Sequence, residues 1–167
     1  MTRAPVLAPE ARPARAPKIP ESVLVVIHSP DLEVLLIERA DCAGFWQSVT
    51  GSKDRLDEPL RAVASREVGE ETGIVVGGPR VPAAALRDMA HAIEYDIYPQ
   101  WRHRYASGVV RNTEHWFALE VPRDVEIVLA PREHVAFRWL PWQEAVRQCF
   151  SPSNGDAIRR LVRDRNG

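Results

Sequence analysis

A chain of 167 residues can hold one domain with a full hydrophobic core and is short for two. Its composition, 45% hydrophobic and 27% charged, is that of a globular protein. A net charge of −1 supplies no whole-molecule field to draw a nucleic-acid polymer or to fix the chain on an anionic membrane, so neither partner is expected; a small anion in a locally basic pocket remains compatible.

Cys42 and Cys149 fit no metal-ligand spacing and cannot build the disulfide framework of a small secreted protein. No apolar run is long enough for a bilayer and none resembles a signal-peptide core, which leads to the expectation of a cytoplasmic location. The first twenty positions carry five of the fourteen prolines. Proline at that density blocks helix and sheet alike, which predicts a disordered or extended tail over 1–17 ahead of a single domain over 18–165.

Val23 to Ile27 is a continuous apolar run suited to a strand buried on both faces. Ser29-Pro30-Asp31 is turn chemistry, and Glu33 to Arg39 reads as a second strand hairpinned to the first. Phe45 to Thr50 reads as a short third strand ending at Gly51. A helix is expected from Pro59 at its first position, capped by Asp57 or Glu58 and stopped by Gly73 in the left-handed conformation. Ile93 to Tyr98 alternates like a strand, Trp101–Tyr105 and Val109–Val121 read as hairpin arms about Ala106-Ser107-Gly108, and Phe137 to Leu140 is a late strand. Helices follow from Pro141 to about Cys149 and over Asn154 to Asp164. Strands mixed with a few helices indicate an α+β fold, a mixed sheet in a sandwich, rather than a regular βαβ array.

The informative segment is the helix from Pro59 to Glu71. At about 100° per residue with Glu67 at zero, Leu60, Val63, Ala64 and Val68 define a buried stripe between roughly 320° and 100°. Arg61, Ala62, Ser65, Arg66 and Gly69 fall on the opposite, solvent side. Glu67, Glu70 and Glu71 fall near 0°, 300° and 40°, on the arc that the first turns give to core residues. Like charges at i, i+3 and i+4 destabilise a helix by about 0.2–0.5 kcal/mol per pair even in water, and the helix dipole disfavours them in its last turns. Local rules broken together point to function. A hard divalent cation resolves the conflict, Mg²⁺ first and Mn²⁺ second, because the donors are all oxygen. The alternative is an acidic cluster neutralised by Arg66 and other basic side chains.

Gly51, Glu58, seven residues, and then Arg66-Glu67-Val68-Gly69-Glu70-Glu71-Thr72-Gly73-Ile74 resemble the Nudix box, with one extra residue between Gly51 and Glu58 that leaves Asp57 where strict spacing would put the first acid. Phe45 to Ser52, Arg102 to Tyr105, Arg111 to Phe117, Glu133-His134 and Ser151 to Asn154 are similar to the bacterial dihydroneopterin triphosphate pyrophosphatases of that family, over about Lys18 to Leu161. The resemblance implies the Nudix fold, an α/β/α sandwich, and release of pyrophosphate from dihydroneopterin triphosphate in folate biosynthesis, with (deoxy)nucleoside triphosphates accepted too. It implies Glu67 and Glu71 as direct ligands of Mg²⁺, with Glu70 a ligand or the base. Glu133 is expected as a distant ligand or base, or else as a surface acid beside Arg132. Gly51, Glu58, Arg66 and Gly73 then support the site. Substrate contacts are expected from Lys18, Arg39, Thr50 and Ser151, with Tyr95, Asp96, Ile97 and Tyr98 as a wall for the ring. The histidines are read as structural. The expected partner is a small-molecule triphosphate, and the chain is expected to act as a monomer or homodimer.

Overall fold

The computed structural model describes residues 15–167, and the first fourteen residues of the expected tail lie outside the described residues. Seven strands form one mixed sheet: β1 (Glu21–His28), β2 (Glu33–Arg39), β3 (Trp46–Gln47), β4 (Val49–Ser52), β5 (Leu86–Asp96), β6 (Arg111–Glu120) and β7 (His134–Pro141). The helices are α1 (Leu60–Thr72), α2 (Trp142–Gln148) and α3 (Pro152–Asn166). The sheet runs β3-β2-β1-β6-β5, with β4 joined to β1 and β7 to β2.

β1 is central, parallel to β6 along its whole length, and its continuous apolar run serves two cores by alternation. Val23, Val25 and Ile27 pack with Val63, Ala64 and Val68 of α1. Leu24 and Val26 pack with Ala145 of α2 and with Ala157, Ile158 and Leu161 of α3. The sheet is therefore sandwiched between α1 and the α2–α3 pair, the α/β/α layering expected of the sequence.

Three local expectations are corrected. The β1–β2 hairpin is splayed: the two strands pair only at His28 and Val34, while β2 takes β7 as its long antiparallel partner. The single third strand is broken at Ser48, whose amide donates to Asn154 Oδ1 at 2.7 Å. Its first half pairs with β2 and its second with β1, so the chain crosses from one strand to the other and carries Thr50 and Gly51 against α1. The arms expected about Ala106-Ser107-Gly108 do not pair. Pro99–Arg104 coils into a 3-10 turn that begins on proline, and Arg102 Nε donates to Ile97 O at 2.9 Å inside it. β6 pairs instead with β5, through an irregularity between Asp88 and Ala92.

Helix α1 begins one residue later than expected. Pro59 is its N-cap and no side chain caps it. Gly73 ends it at φ 74°, donating its amide to Gly69 O at 2.9 Å. Among the described residues no helix is long and apolar enough to cross a membrane.

Candidate active site

The last two turns of α1 lie beside the β4 crossing, and the meeting point is tight. Gly51 sits so close to Glu67 that a Cβ there would overlap the glutamate's carboxyl group. The Glu67 side chain is 12% exposed and Glu71 is 5% exposed. Both acids therefore turn inward, as the helical arc requires. Glu70 does not: its side chain is 57% exposed, at the rim of the same cleft. The wheel is also corrected at Arg66. Its Cα direction is outward, yet its long side chain folds back until the guanidinium is only 23% exposed.

Arg66 ties the loop to the helix. Its Nε and Nη2 reach Glu58 Oε1 and Oε2 at 2.9 and 3.1 Å, the two-pronged geometry that guanidinium and carboxylate share. Nη1 donates to Glu67 at 2.8 Å and Nη2 to Ser52 O at 3.1 Å. The Asp54 amide closes the loop on Glu58 at 2.7 Å. The extra residue in the loop leaves Glu58 facing Arg66, while Asp57 pairs with Arg55 out in solvent. Hydrogen bonding from Arg66 holds the Glu58 carboxyl below its ordinary range.

The protein balances the two inward acids only in part: Arg66 pairs with Glu67, and no basic side chain among the described residues pairs with Glu71. Burial pushes the Glu67 carboxyl up to about 7, with Arg66 pulling the other way and Glu70 adding to the rise. Burial, and then the Glu67 charge, push Glu71 well above its usual range. Glu71 accepts one hydrogen bond, from the Thr50 amide at 3.3 Å, and among the described residues no basic side chain pairs with it. One ligating atom each of Glu71, Glu133 and His134 lie within 4.8 Å of one another. Arg66 thus neutralises only one side of the cluster. Buried Glu67, paired only with Arg66, and buried, unpaired Glu71, beside exposed Glu70 and Glu133, suit a divalent cation, which supplies the missing positive charge.

These acids form one wall of a cleft of about 1470 Å³, larger than an ordinary small-ligand pocket of about 300–1,000 Å³ and long enough for a ring and a phosphate chain together. Lys18 and Arg39 both line it. Partial desolvation, then Arg104, lower the Lys18 ammonium from its usual value. Arg39 is gripped by Asp41 at 2.8 and 2.6 Å, and its guanidinium lies 4.7 Å over the Trp101 ring. Arg15, Ala16 and Pro17, assigned to the tail by sequence, line the cleft as well. Thr50 lines it with its backbone amide already spent on Glu71. Ser151 lines it too, but its hydroxyl caps α3, receiving Asn154 N at 3.4 Å and Asn154 Nδ2 at 2.8 Å.

The ring wall expected at Tyr95 to Tyr98 is brought to the cleft in unequal parts. Tyr95 is half-buried and its hydroxyl receives Asn112 Nδ2 at 3.2 Å. Asp96 is exposed and pairs with Arg111 at 3.2 Å, and Ile97 is a buried core residue. Tyr98 joins an aromatic cluster with Phe45, Trp101 and Phe150: Phe45 and Phe150 stack at 3.4 Å between centroids, and Trp101 stands edge-on to Tyr98 at 5.4 Å. Trp46 and Trp116 are buried in the core, out of reach of a ring in the cleft.

Sequence reasoning passed over three groups here. Phe45 and Phe150 are ordinary aromatics until β3 and the α2–α3 turn bring them together. His134 reads as structural in the sequence, yet it stands with Glu71 and Glu133. Glu114 has no spacing that sets it apart from its neighbours. It is 4% exposed on β6, lines the cleft, accepts Trp116 Nε1 at 3.1 Å, and is pushed up to about 7 by burial. A charged letter in a strand pattern ordinarily reads as the solvent face, which is why it carried no signal. Cys149, by contrast, is inert: burial pushes its thiol up to about 12.

Comparison with known proteins agrees with the geometry. A family model described as the NUDIX domain matches residues 18–161. A dihydroneopterin triphosphate diphosphatase of Escherichia coli K12 is 42% identical over 146 residues, 87% of this chain and 93% of its own. One from Haemophilus influenzae is 38% identical over 143 residues, 85% of this chain and 87% of its own. The solved E. coli dihydroneopterin triphosphate pyrophosphohydrolase superposes with a TM-score of 0.79 at 41% identity, covering 90% of this chain and 99% of that one. Both the whole sheet and the acidic helix fall inside the residues 18–161 that the family model matches, and the chain belongs to the Nudix hydrolase family.

Proposed function

We propose that this chain is a magnesium-dependent pyrophosphohydrolase. It converts dihydroneopterin triphosphate and water to dihydroneopterin monophosphate and pyrophosphate, the activity for which its E. coli and H. influenzae relatives are named. The observation that carries the reading is the pair Glu67 and Glu71, two carboxylates turned into the protein with Arg66 pairing only Glu67 and no basic side chain pairing Glu71, at the wall of a cleft whose volume admits a ring and three phosphates.

Glu67, Glu70, Glu71 and Glu133 would hold Mg²⁺, with Mn²⁺ as a substitute, since oxygen donors suit hard ions. When bound, the metal neutralises phosphate charge and makes a water more acidic. Glu70 and Glu133 are the exposed carboxylates, so they are the two bases that an attacking water can reach. Gly51 and the Arg66–Glu58 pair keep Glu67 in place, and Gly73 ends the helix so that its last turn faces the cleft. Lys18 and Arg39 grip the phosphates, while Thr50 and Ser151 border them. Tyr95, Tyr98 and the Phe45–Trp101–Phe150 cluster enclose the ring, with Asp96 and Ile97 completing that wall. Glu114 offers a carboxylate to the N–H groups of the heterocycle. The substrate is a free small molecule in the cytoplasm, and no nucleic-acid polymer or membrane is needed; (deoxy)nucleoside triphosphates are accepted less well. The protein works as a monomer or homodimer.

Hydrolysis of a substrate panel in ¹⁸O water tests this. The expected result is pyrophosphate release from dihydroneopterin triphosphate with the highest kcat/KM of the panel. A nucleotide preferred by a factor of about ten or more, worth about 1.4 kcal/mol at the transition state, would overturn the pterin assignment.

A further inference from the structure

His134 is the group at this site that an oxygen-only metal set leaves unused. The residue is 4% exposed, and among the described residues neither of its buried ring nitrogens, Nδ1 and Nε2, has a hydrogen-bond partner. A neutral imidazole carries one N–H and one lone pair, and a buried ring normally satisfies at least one of them. Here both are left open, beside two carboxylates.

The ring is also aimed. One of its nitrogens lies within 4.8 Å of a carboxylate oxygen of Glu71 and of Glu133, and those oxygens lie within the same span of each other. The three donors come from two elements far apart in sequence: Glu71 from the buried face of α1, Glu133 and His134 from the turn that starts β7 in the sheet. That turn is pinned by its backbone. The amides of Glu133 and His134 both donate to Ala130 O at 3.0 Å, and Glu133 O accepts from the Ala40 amide at 2.8 Å. Glu133 is exposed at the rim, while His134 and Glu71 are packed in. A buried nitrogen, a buried carboxylate and a solvent-facing carboxylate converge on one point, as the ligands of an ion do.

We infer that Glu71, Glu133 and His134 form a mixed nitrogen–oxygen site for a divalent transition-metal ion of the Mn²⁺ or Co²⁺ class. Imidazole nitrogen favours such ions over Mg²⁺, whose strong preference is for oxygen and retained water. The site would lie next to the all-oxygen position offered by Glu67 and Glu70, so that the two positions differ in the metal each prefers. This rests on the proposed reading of Glu71 and Glu133 as metal ligands and adds a donor of different chemistry to it.

The test is pulsed EPR on the metal-free full-length protein saturated with Mn²⁺, prepared with natural-abundance and with ¹⁵N-labelled histidine. The expected spectrum carries a directly bound histidine nitrogen whose coupling changes with the label. Of the five histidines, His103 and His134 line the cleft. The coupling should therefore persist in His103→Gln and vanish in His134→Gln. The wild type and His103→Gln decide the matter together if His134→Gln does not fold. By calorimetry, His134→Gln should weaken Mn²⁺ by about tenfold or more, at least what losing a supporting partner of a ligand does, and Mg²⁺ by less. Bound Mn²⁺ with no nitrogen coupling, or a coupling lost in His103→Gln, overturns this inference and leaves the proposed function standing. Failure to bind Mn²⁺ at all overturns both.

Discussion

The α-carbon of Gly51 lies against the carboxyl group of Glu67, with no room between them for a methyl group. The contact joins β4 to the last turns of α1 and holds an acid that its own helix would not keep there. Gly51→Ala should therefore push the Glu67 carboxylate aside while the fold survives, since the displaced atoms are the end of a side chain. The expected outcome is a kcat reduced by roughly a hundredfold with a thermal midpoint within a few degrees of wild type. Wild-type turnover in the alanine variant would show that this placement of Glu67 is irrelevant to catalysis.

Glu71→Gln removes a buried carboxyl group with which no basic side chain among the described residues pairs and whose ionisation burial opposes. Without metal the variant should melt higher than wild type, by about 2–4 °C for each kcal/mol of relieved desolvation and repulsion. Saturating Mg²⁺ should reverse the order, because binding stabilises only the chain that binds. Thermal scans with and without Mg²⁺, alongside a pyrophosphate-release assay, check both halves. Activity should fall by roughly a hundredfold or more, and an active Glu71→Gln would remove this residue from the metal set.

Arg66 holds Glu58 with two nitrogens and Glu67 with a third. Lysine keeps the charge but has one compact head and cannot span both partners. Arg66→Lys should lower kcat by about tenfold or more and leave KM for the triphosphate near wild type, because Arg66 faces carboxylates rather than phosphates. A change confined to KM would instead mark Arg66 as a substrate contact.

Glu114 gives a pH signature away from the metal cluster. Burial raises its folded-state value to about 7 from an ordinary 4.5. The folded chain thus holds this proton more tightly than the unfolded one, so the contribution is stabilising below about pH 4.5 and is lost as pH rises through 7. Between pH 4.5 and 8 the loss from this group is on the order of 2–3 kcal/mol. Glu114→Gln keeps an acceptor for Trp116 Nε1 and cannot ionise, so its urea-unfolding free energy should vary less with pH than that of wild type. A variant with an unchanged pH slope would show that Glu114 is not the source. The same variant should raise KM for the pterin substrate.

Much of the fold was legible because its signals are local. The apolar run of β1 could only be a doubly buried strand, and the helix ending in Gly73 announced both its face and its stop. The inward turn of Glu67 and Glu71 followed from helical period alone. What period could not give was the path of long side chains. Arg66 leaves the helix outward and folds back, while Glu70 leaves near the inward arc and reaches water. Contacts made by distant strands were equally hidden. His134 meets Glu71 only because β7 pairs with β2, and Glu114 is buried only because β6 lies parallel to β1 under α3. The aromatic cluster draws Phe45, Tyr98, Trp101 and Phe150 from separate segments, with no spacing to betray it. Trp101–Tyr105 reads as a strand arm because its aromatic and basic residues alternate, yet Pro99 just before it starts a 3-10 turn that runs to Arg104.

A divalent ion belongs between the inward carboxylates of α1. Anomalous diffraction from crystals grown with Mn²⁺ and a non-hydrolysable triphosphate analogue would locate it. The expected peak lies about 2.0–2.3 Å from carboxylate oxygens of both Glu67 and Glu71. Density that is empty there, with the two side chains still turned inward and bound only to protein, would contradict it.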